Sequence, residues 1–280
     1  ANQDEHIGAS HLSVGGGFGT VTLGGAVAAS KEMSVNAPNT GALGATGDDS
    51  SLWIVKPAAV SIADGAGADI GGDESAKIRW MSPSFSGFTV GGSYVPSTTS
   101  SNNMAATGGT AGTEVQQHDF GVKYSGKMGG NTVNAGANYW STDAGTNSID
   151  AYHLGLSVTA GAFTVGASMK DVSSEGSAAD KSSISGSASS LDEEAITAGI
   201  QWEQGDTTLS LNYFISEMEL SSAVTGEDSV EKWTLGAKYA MGPGVDFLGT
   251  VQNVHWKDEG TVATNNNKGT AIVGGIAVKF

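Results

Sequence analysis

The chain has 280 residues, of which 42 are glycine and none is cysteine, and its formal net charge is −16. The lack of cysteine excludes a disulfide scaffold, and the negative charge argues against nucleic acid as a partner, because phosphates require a basic surface. No run of 18 apolar residues is present. This excludes a transmembrane helix but leaves open a membrane-spanning β-barrel, whose strands show lipid only every second residue.

Two short alternating runs begin the chain, at 5–13 and 18–25, and the glycines at 15–17 between them predict a hairpin. The next 49 residues, 26–74, do not alternate and carry a net charge of −5. Connections this long are usually functional or disordered. This one also contains the apolar stretch Leu52-Trp53-Ile54-Val55. We therefore expect it to fold into the bore of a barrel and narrow it, with Trp53 fixing it to the wall; sugar stacking is the other interpretation of Trp53.

Alternating runs continue to the end of the chain. They cover 75–82, 87–96, 114–125, 131–142, 149–159, 163–173, 191–203, 207–219, 229–240, 245–257 and 269–280. This predicts about 13 strands, each near the length that a tilted membrane strand needs. Phe247-Leu248 breaks the alternation and predicts a bulge.

The connections favour a membrane barrel over a soluble sandwich. Short turns alternate with longer polar loops, and every long loop follows an even-numbered strand, which is typical of outer-membrane barrels. Within 163–170, apolar residues on one face oppose Thr, Gly, Ser and Lys on the other. Eleven of the twelve Trp and Tyr residues lie in predicted strands, as interfacial girdles require. The predicted fold class is all-β, a transmembrane antiparallel β-barrel.

The parity of the strands leads to a further expectation. The last strand ends on the short-turn side and the first begins on the long-loop side, so both ends reach the periplasm only if an odd number of strands precedes residue 1. We therefore expect the sequence to be an incomplete chain. The intact mass of the native protein tests this expectation, because 28.1 kDa would contradict it.

Three segments resemble the Gram-negative general porins, most closely their alphaproteobacterial branch. They are GGGFGTVTLGG (15–25), AKIRWMSPSFSGFTVGGSYVP (76–96) and the terminal strand ending in Phe280. The resemblance implies one porin domain over 1–280, about 16 strands in the complete protein with about three absent at the N-terminus, and homotrimers in the outer membrane. It also implies that 26–74 is the third external loop, which forms the pore constriction.

The same resemblance implies that loop carboxylates face a basic cluster on the wall. Ile78 and Trp80 should face lipid, which turns Lys77 and Arg79 inward as the basic side. The candidates for the acidic side are Asp48, Asp49, Asp64 and Asp69, which are otherwise solvated loop residues. The overall negative charge predicts a mild cation preference.

Two functions remain open from the sequence. The first is a passive diffusion porin for small hydrophilic solutes and ions, in contact with outer-membrane lipid and lipopolysaccharide. The second is a non-conducting structural or adhesive barrel that presents the Ser/Thr/Gly-rich loops 97–113 and 172–191. An enzyme is not expected, because the five histidines lack metal-ligand spacing and no catalytic motif is present. We expect no cofactor, apart from Ca²⁺ that acidic external loops could collect.

Overall fold

The computed structural model describes residues 10–44, 51–60, 62, 75–96, 116–144, 147–175, 192–219, 226–260 and 262–279. Within these ranges, thirteen strands form one antiparallel sheet in which each strand pairs with the next along the chain. The strands are β1 (His11–Gly16), β2 (Gly19–Gly25), β3 (Ala76–Met81), β4 (Phe88–Val95), β5 (Gln116–Met128), β6 (Asn131–Ala144), β7 (Asn147–Ala160), β8 (Phe163–Glu175), β9 (Asp192–Gln204), β10 (Thr207–Glu219), β11 (Asp228–Gly242), β12 (Val245–Lys257) and β13 (Asn267–Val278). A short helix, α1 (Ala29–Met33), follows β2, and a 3-10 turn spans Ala263–Asn265. Neither is long and apolar enough to cross a membrane.

Tight turns fix the strand register at one end of the sheet. Gly129 and Gly130 connect β5 to β6 with φ values of 57° and 87°. Two successive positive φ values give the turn the twist that antiparallel strands need, and glycine adopts them without a steric penalty. The pairing of Met128 with Asn131 follows directly from this turn.

The structure corrects three details predicted from the sequence. β1 continues through Gly16, because Gly15 and Gly16 pair regularly with Thr20 and Gly19, so the first turn lies at 17–18. β6 and β7 extend to 144 and 147, which leaves a connection of residues 145–146 where a longer loop was expected. The bulge lies in β11 between Ala240 and Gly242, whereas Phe247 and Leu248 keep a regular register.

Burial is inverted relative to a water-soluble sheet. Large apolar side chains on one face are about half exposed, among them Leu154 at 51%, Val165 at 53% and Leu235 at 53%. The other face, called here the inner face, buries polar side chains such as Thr197, Ser216 and Gln252 completely. A barrel in lipid requires exposed apolar side chains on its outer face and polar side chains on its inner face.

Two apolar clusters lie on the otherwise polar inner face. One contains Trp140 with Ile149, Ala151 and Val172. The larger one extends over β9–β13 and includes Phe214, Trp256, Ile54, Val60 and Ile62. Trp140 and Trp256 are therefore buried on the inner face. Trp80, Trp233 and Tyr239 are exposed on the outer face, where the interfacial aromatic girdle was expected.

The first and last strands are the edges of the described sheet. β1 pairs only with β2, and β13 only with β12, among the described residues. Residues 1–9 are not among the residues that the structure describes. The expectation that further strands precede residue 1 stays a prediction.

Candidate functional site

Residues 26–44, called here the strap, lie against the inner face and cross it from β3 to β12. At the start of the strap, the Ala29 amide donates to Ser93 Oγ at 2.8 Å. The Ser30 amide donates to a carboxylate oxygen of Asp119 at 2.7 Å. The first turn of α1 is therefore held by side chains of β4 and β5, and both of its amides are satisfied by wall groups.

The middle of the strap is held through Asn36. Its side-chain oxygen accepts hydrogen bonds from His153 Nε2 and from Ser168 Oγ, each at 3.0 Å. His153 lies on β7 and Ser168 on β8, and both are buried. A single amide oxygen thus joins two neighbouring strands to the strap.

The end of the strap forms hydrogen bonds with side chains of β10 and β12. They include Asn212 Nδ2 to Pro38 O at 2.6 Å, Thr40 N to Ser210 Oγ at 3.0 Å, Ala42 N and Leu43 N to Thr250 Oγ1 at 2.8 and 3.1 Å, and Gln252 Nε2 to Gly44 O at 3.1 Å. Every one of them pairs a strap backbone group with a wall side chain. Each such bond contributes about 0.5–1.5 kcal/mol net, and a lost partner costs more, because a buried amide is left unsatisfied.

A row of inner-face glycines lies under the strap. This glycine track has one member on each of β4–β9 and on β11: Gly91, Gly121, Gly136, Gly155, Gly166, Gly199 and Gly236. A Cβ on Gly155 would overlap the carbonyl oxygen of Val35, and one on Gly236 would overlap that of Thr40. At Gly136 a Cβ would lie 2.6 Å from the carbonyl oxygen of Met33. The strap therefore lies directly on the wall backbone, which only glycine permits.

Lys77 and Arg79 face inward, while Ile78 and Trp80 are 46% and 40% exposed on the outer face. The Lys77 ammonium donates to the carbonyl of Ala26. Arg79 Nη1 donates to Val27 O at 2.8 Å and contacts a carboxylate oxygen of Glu32 at 3.1 Å. Both predicted basic residues hold the beginning of the strap.

The predicted acidic residues Asp48, Asp49, Asp64 and Asp69 lie outside the described residues. Trp53 is described and is 56% exposed. The neighbouring Ile54 is 6% exposed and packs in the large apolar cluster with Val60 and Ile62. In this part of the loop, the contact with the wall is made by Ile54, and Asn267 Nδ2 adds a hydrogen bond to Val55 O at 2.6 Å.

Sequence reasoning missed the wall residues that receive the strap. Ser93, Asp119, His153, Asn212 and Thr250 belong to different strands and are separated from their strap partners by 64 to 208 residues. The sequence does contain one indication of the strap position: an inward-facing glycine on each of β4–β9 and β11, with polar residues two positions away. These glycines can be recognised as one row only when the register of all the strands is known.

Three carboxylates meet near the end of β12. One oxygen each of Asp228, Asp258 and Glu259 lies within 4.8 Å of the others. The protonated Glu259 side chain donates a hydrogen bond to the Asp228 carboxylate, and this bond, together with burial, raises the pKa of Glu259 to about 7. The expectation that external acidic loops collect Ca²⁺ stays a prediction.

Comparison with known proteins gives a consistent picture. The family described as Gram-negative porin matches residues 1–259. In-vitro folded OmpT, an outer membrane protein of Vibrio cholerae, is similar with a TM-score of 0.61 at 15% identity over 98% of this chain and 81% of that chain. Its trimer form gives 0.61 at 14% identity, over 99% and 82%. A mutant of Rh. blastica porin gives 0.52 at 17% identity, over 97% and 77%. At these identities the likeness shows the fold. No curated protein matches the chain.

Proposed function

The chain belongs to the Gram-negative porin family and is an outer-membrane β-barrel protein with a porin-like channel, and from this premise we propose that it lets small hydrophilic solutes and ions diffuse passively. The strap supports the proposal best. It lies on the polar inner face of the sheet, and wall side chains hold it by hydrogen bonds at its start, its middle and its end. A segment in this position narrows a channel without needing to close it.

The acidic part of the loop would set the selectivity. Several basic groups of the inner face are already engaged: Arg79 contacts Glu32, and Lys170 Nζ lies 3.1 Å from a Glu193 oxygen. Lys232 lies 4.7 Å above the ring of Phe214. The carboxylates of the sequence-predicted constriction, Asp48, Asp49, Asp64 and Asp69, would then dominate the local field. We propose a mild cation preference on this basis.

The assembly proposed for this chain is a homotrimer. OmpT of Vibrio cholerae, which shares the fold, has a structure in trimer form. Cross-linking of the protein in detergent, followed by gel electrophoresis, tests the number of copies. A ladder that ends at one or two copies would contradict the trimer.

Conductance in a planar bilayer under a salt gradient tests the function. We expect discrete open steps and a reversal potential of the sign that cation preference gives. A variant with Asp48→Asn, Asp49→Asn, Asp64→Asn and Asp69→Asn should move the reversal potential towards zero, because it removes four negative charges from the loop.

Asp206→Asn is a matched control for the loss of charge, because Asp206 lies in the tight turn between β9 and β10, outside the loop. It should leave the reversal potential unchanged. Protein that is folded and inserted yet electrically silent would contradict the porin function and favour the structural or adhesive barrel. An unchanged reversal potential in the fourfold variant would contradict only the role of the four carboxylates.

A further inference from the structure

Four inner-face residues, called here the wall patch, lie near the ends of β5 and β6 that are remote from the tight turn at 129–130. Gln117 and Asp119 belong to β5, and Thr142 and Trp140 of β6 lie directly opposite them in the register. All four are more than nine-tenths buried, with exposed fractions between 1% and 5%. The wall patch lies beside the start of the strap, because the Ser30 amide donates to one carboxylate oxygen of Asp119.

The wall patch contains a concentration of buried polar atoms without partners. Among the described residues, eleven buried side-chain nitrogen and oxygen atoms have no hydrogen-bond partner in the protein, and six of them lie here. They are both polar atoms of the Gln117 amide, Asp119 Oδ2, Trp140 Nε1, Thr142 Oγ1 and Ser30 Oγ. Because buried polar atoms in folded proteins are almost always hydrogen-bonded, six of them together indicate partners from outside the chain.

Apolar side chains border the wall patch along one of its rows. Val95 on β4 lies opposite Gln117, and Ile149 on β7 lies opposite Thr142. Both neighbours are buried, and neither has a polar side chain. A partner for the Gln117 amide and the Thr142 hydroxyl therefore has to come from the bore side of the sheet.

The polar atoms of the wall patch restrict the chemistry of their partner. The indole nitrogen of Trp140 can only donate a hydrogen bond, whereas a carboxylate oxygen of Asp119 accepts one. A metal cation cannot accept from Trp140, and a halide ion cannot donate to Asp119. A hydroxyl group does both, and it also suits an amide and a second hydroxyl.

The size of the wall patch matches a ligand with few hydroxyl groups. Residues directly opposite on neighbouring strands have Cβ atoms about 5 Å apart, and successive inward residues of one strand are about 7 Å apart. The four side chains therefore outline an area that two or three hydroxyl groups can span.

From this arrangement we propose that the wall patch is a binding site for hydroxyl groups, supplied by ordered water or by a small polyol such as glycerol. The bound hydroxyls accept from Trp140 Nε1 and from the Gln117 amide, and they donate to Asp119 Oδ2. Ser30 Oγ joins the same network from the strap, so that the ligand links the first turn of α1 to the wall. The inference concerns the inner face alone and does not depend on conduction.

Nuclear Overhauser effects at the Ile149 methyl groups of the wild type test the proposal in detergent micelles. We expect cross-peaks between Ile149 and water protons, and glycerol is then added as the probe. New cross-peaks to the carbon-bound protons of glycerol would identify a polyol as the ligand, and unchanged water cross-peaks would identify ordered water. Ile272, which is 80% exposed on the outer face of β13, is the control and should contact detergent only. The absence of cross-peaks from Ile149 to both water and glycerol would overturn the site.

A double variant, Gln117→Met with Thr142→Val, removes three of the six polar atoms and keeps the shape of both side chains. Since the wild type pairs these atoms with hydroxyls, the variant should lose the Ile149 cross-peaks, and its thermal midpoint should fall by at least about 2 °C. Removing polar atoms that have no partner would instead relieve a cost, so an equal or higher midpoint would overturn the proposal. Gln201→Met with Thr132→Val is the matched control, because both residues are half-buried on the inner face outside the wall patch. It should keep the cross-peaks.

Discussion

At the scale of single residues, the glycine track determines how closely the strap approaches the wall. Gly155→Ala places a methyl group where the carbonyl oxygen of Val35 lies. We expect the strap to shift towards the bore, with lower single-channel conductance and a stability loss of about 1–3 kcal/mol from overpacking. Gly275→Ala is the control, because nothing lies within 4 Å of a Cβ at Gly275. Equal conductance of the two variants would contradict the role of the track.

The acidic group near the end of β12 predicts a local pH dependence. The pKa of Glu259 is raised from 4.5 to about 7, first through its hydrogen bond with Asp228. A raised pKa means that the protonated form favours the folded loop, so this contribution is complete below about pH 4.5 and is lost as the pH rises through about 7. Hydrogen exchange at residues 258–260, corrected for the intrinsic rate, should show protection that falls between about pH 5 and 8.

Glu259→Gln is the control for this pH dependence. It keeps a hydrogen-bonding side chain but cannot titrate, so the protection at 258–260 should become nearly independent of pH. The same decline in Glu259→Gln as in the wild type would assign the effect to another group.

At the scale of elements, the strap is a separate unit that the wall holds by side chains. At the β12 end, Thr250 holds the strap by two hydrogen bonds, because its hydroxyl oxygen accepts from the amides of both Ala42 and Leu43. Thr250→Val keeps the shape but leaves two amides without an acceptor, at a cost of about 1–3 kcal/mol. We expect faster hydrogen exchange at residues 40–44 and noisier open-channel current.

The matched control for Thr250→Val is Thr132→Val. Thr132 lies on β6, four residues before Gly136 of the glycine track, towards the turn that joins β5 to β6. It should leave both readouts unchanged. If Thr250→Val has no more effect than Thr132→Val, the Thr250 hydroxyl does not hold the strap.

The strands were predictable from the sequence to an unusual degree. β10 and β12 have the predicted bounds, because alternating side chains and glycine turns are both local signals. The inward direction of Lys77 and Arg79 followed from the same alternation. Their partners did not, because they are strap carbonyls 51 and 52 residues away. The position of the strap on the wall depends on side chains from many strands, so no local sequence pattern predicts it.

At the scale of the whole molecule, the inner face of the sheet buries charges of both signs. Lys77, Lys170 and Lys232 are buried there, and so are Asp119 and Glu193. Glu193 lies 3.1 Å from Lys170 Nζ, and Asp119 accepts a hydrogen bond from the Ser30 amide. The net charge of −16 therefore does not by itself describe the channel interior, and we propose that the loop carboxylates set the selectivity.

A cysteine at Asn39 tests whether the strap lies in the conducting path. The chain contains no cysteine, so Asn39→Cys introduces a single thiol at an exposed strap position. A cationic thiol reagent added to one open channel should lower the current in discrete steps and reduce the cation preference. Leu235→Cys, on the outer face, should show no such steps. Complete labelling at Asn39→Cys with unchanged current would show that the strap lies outside the conducting path.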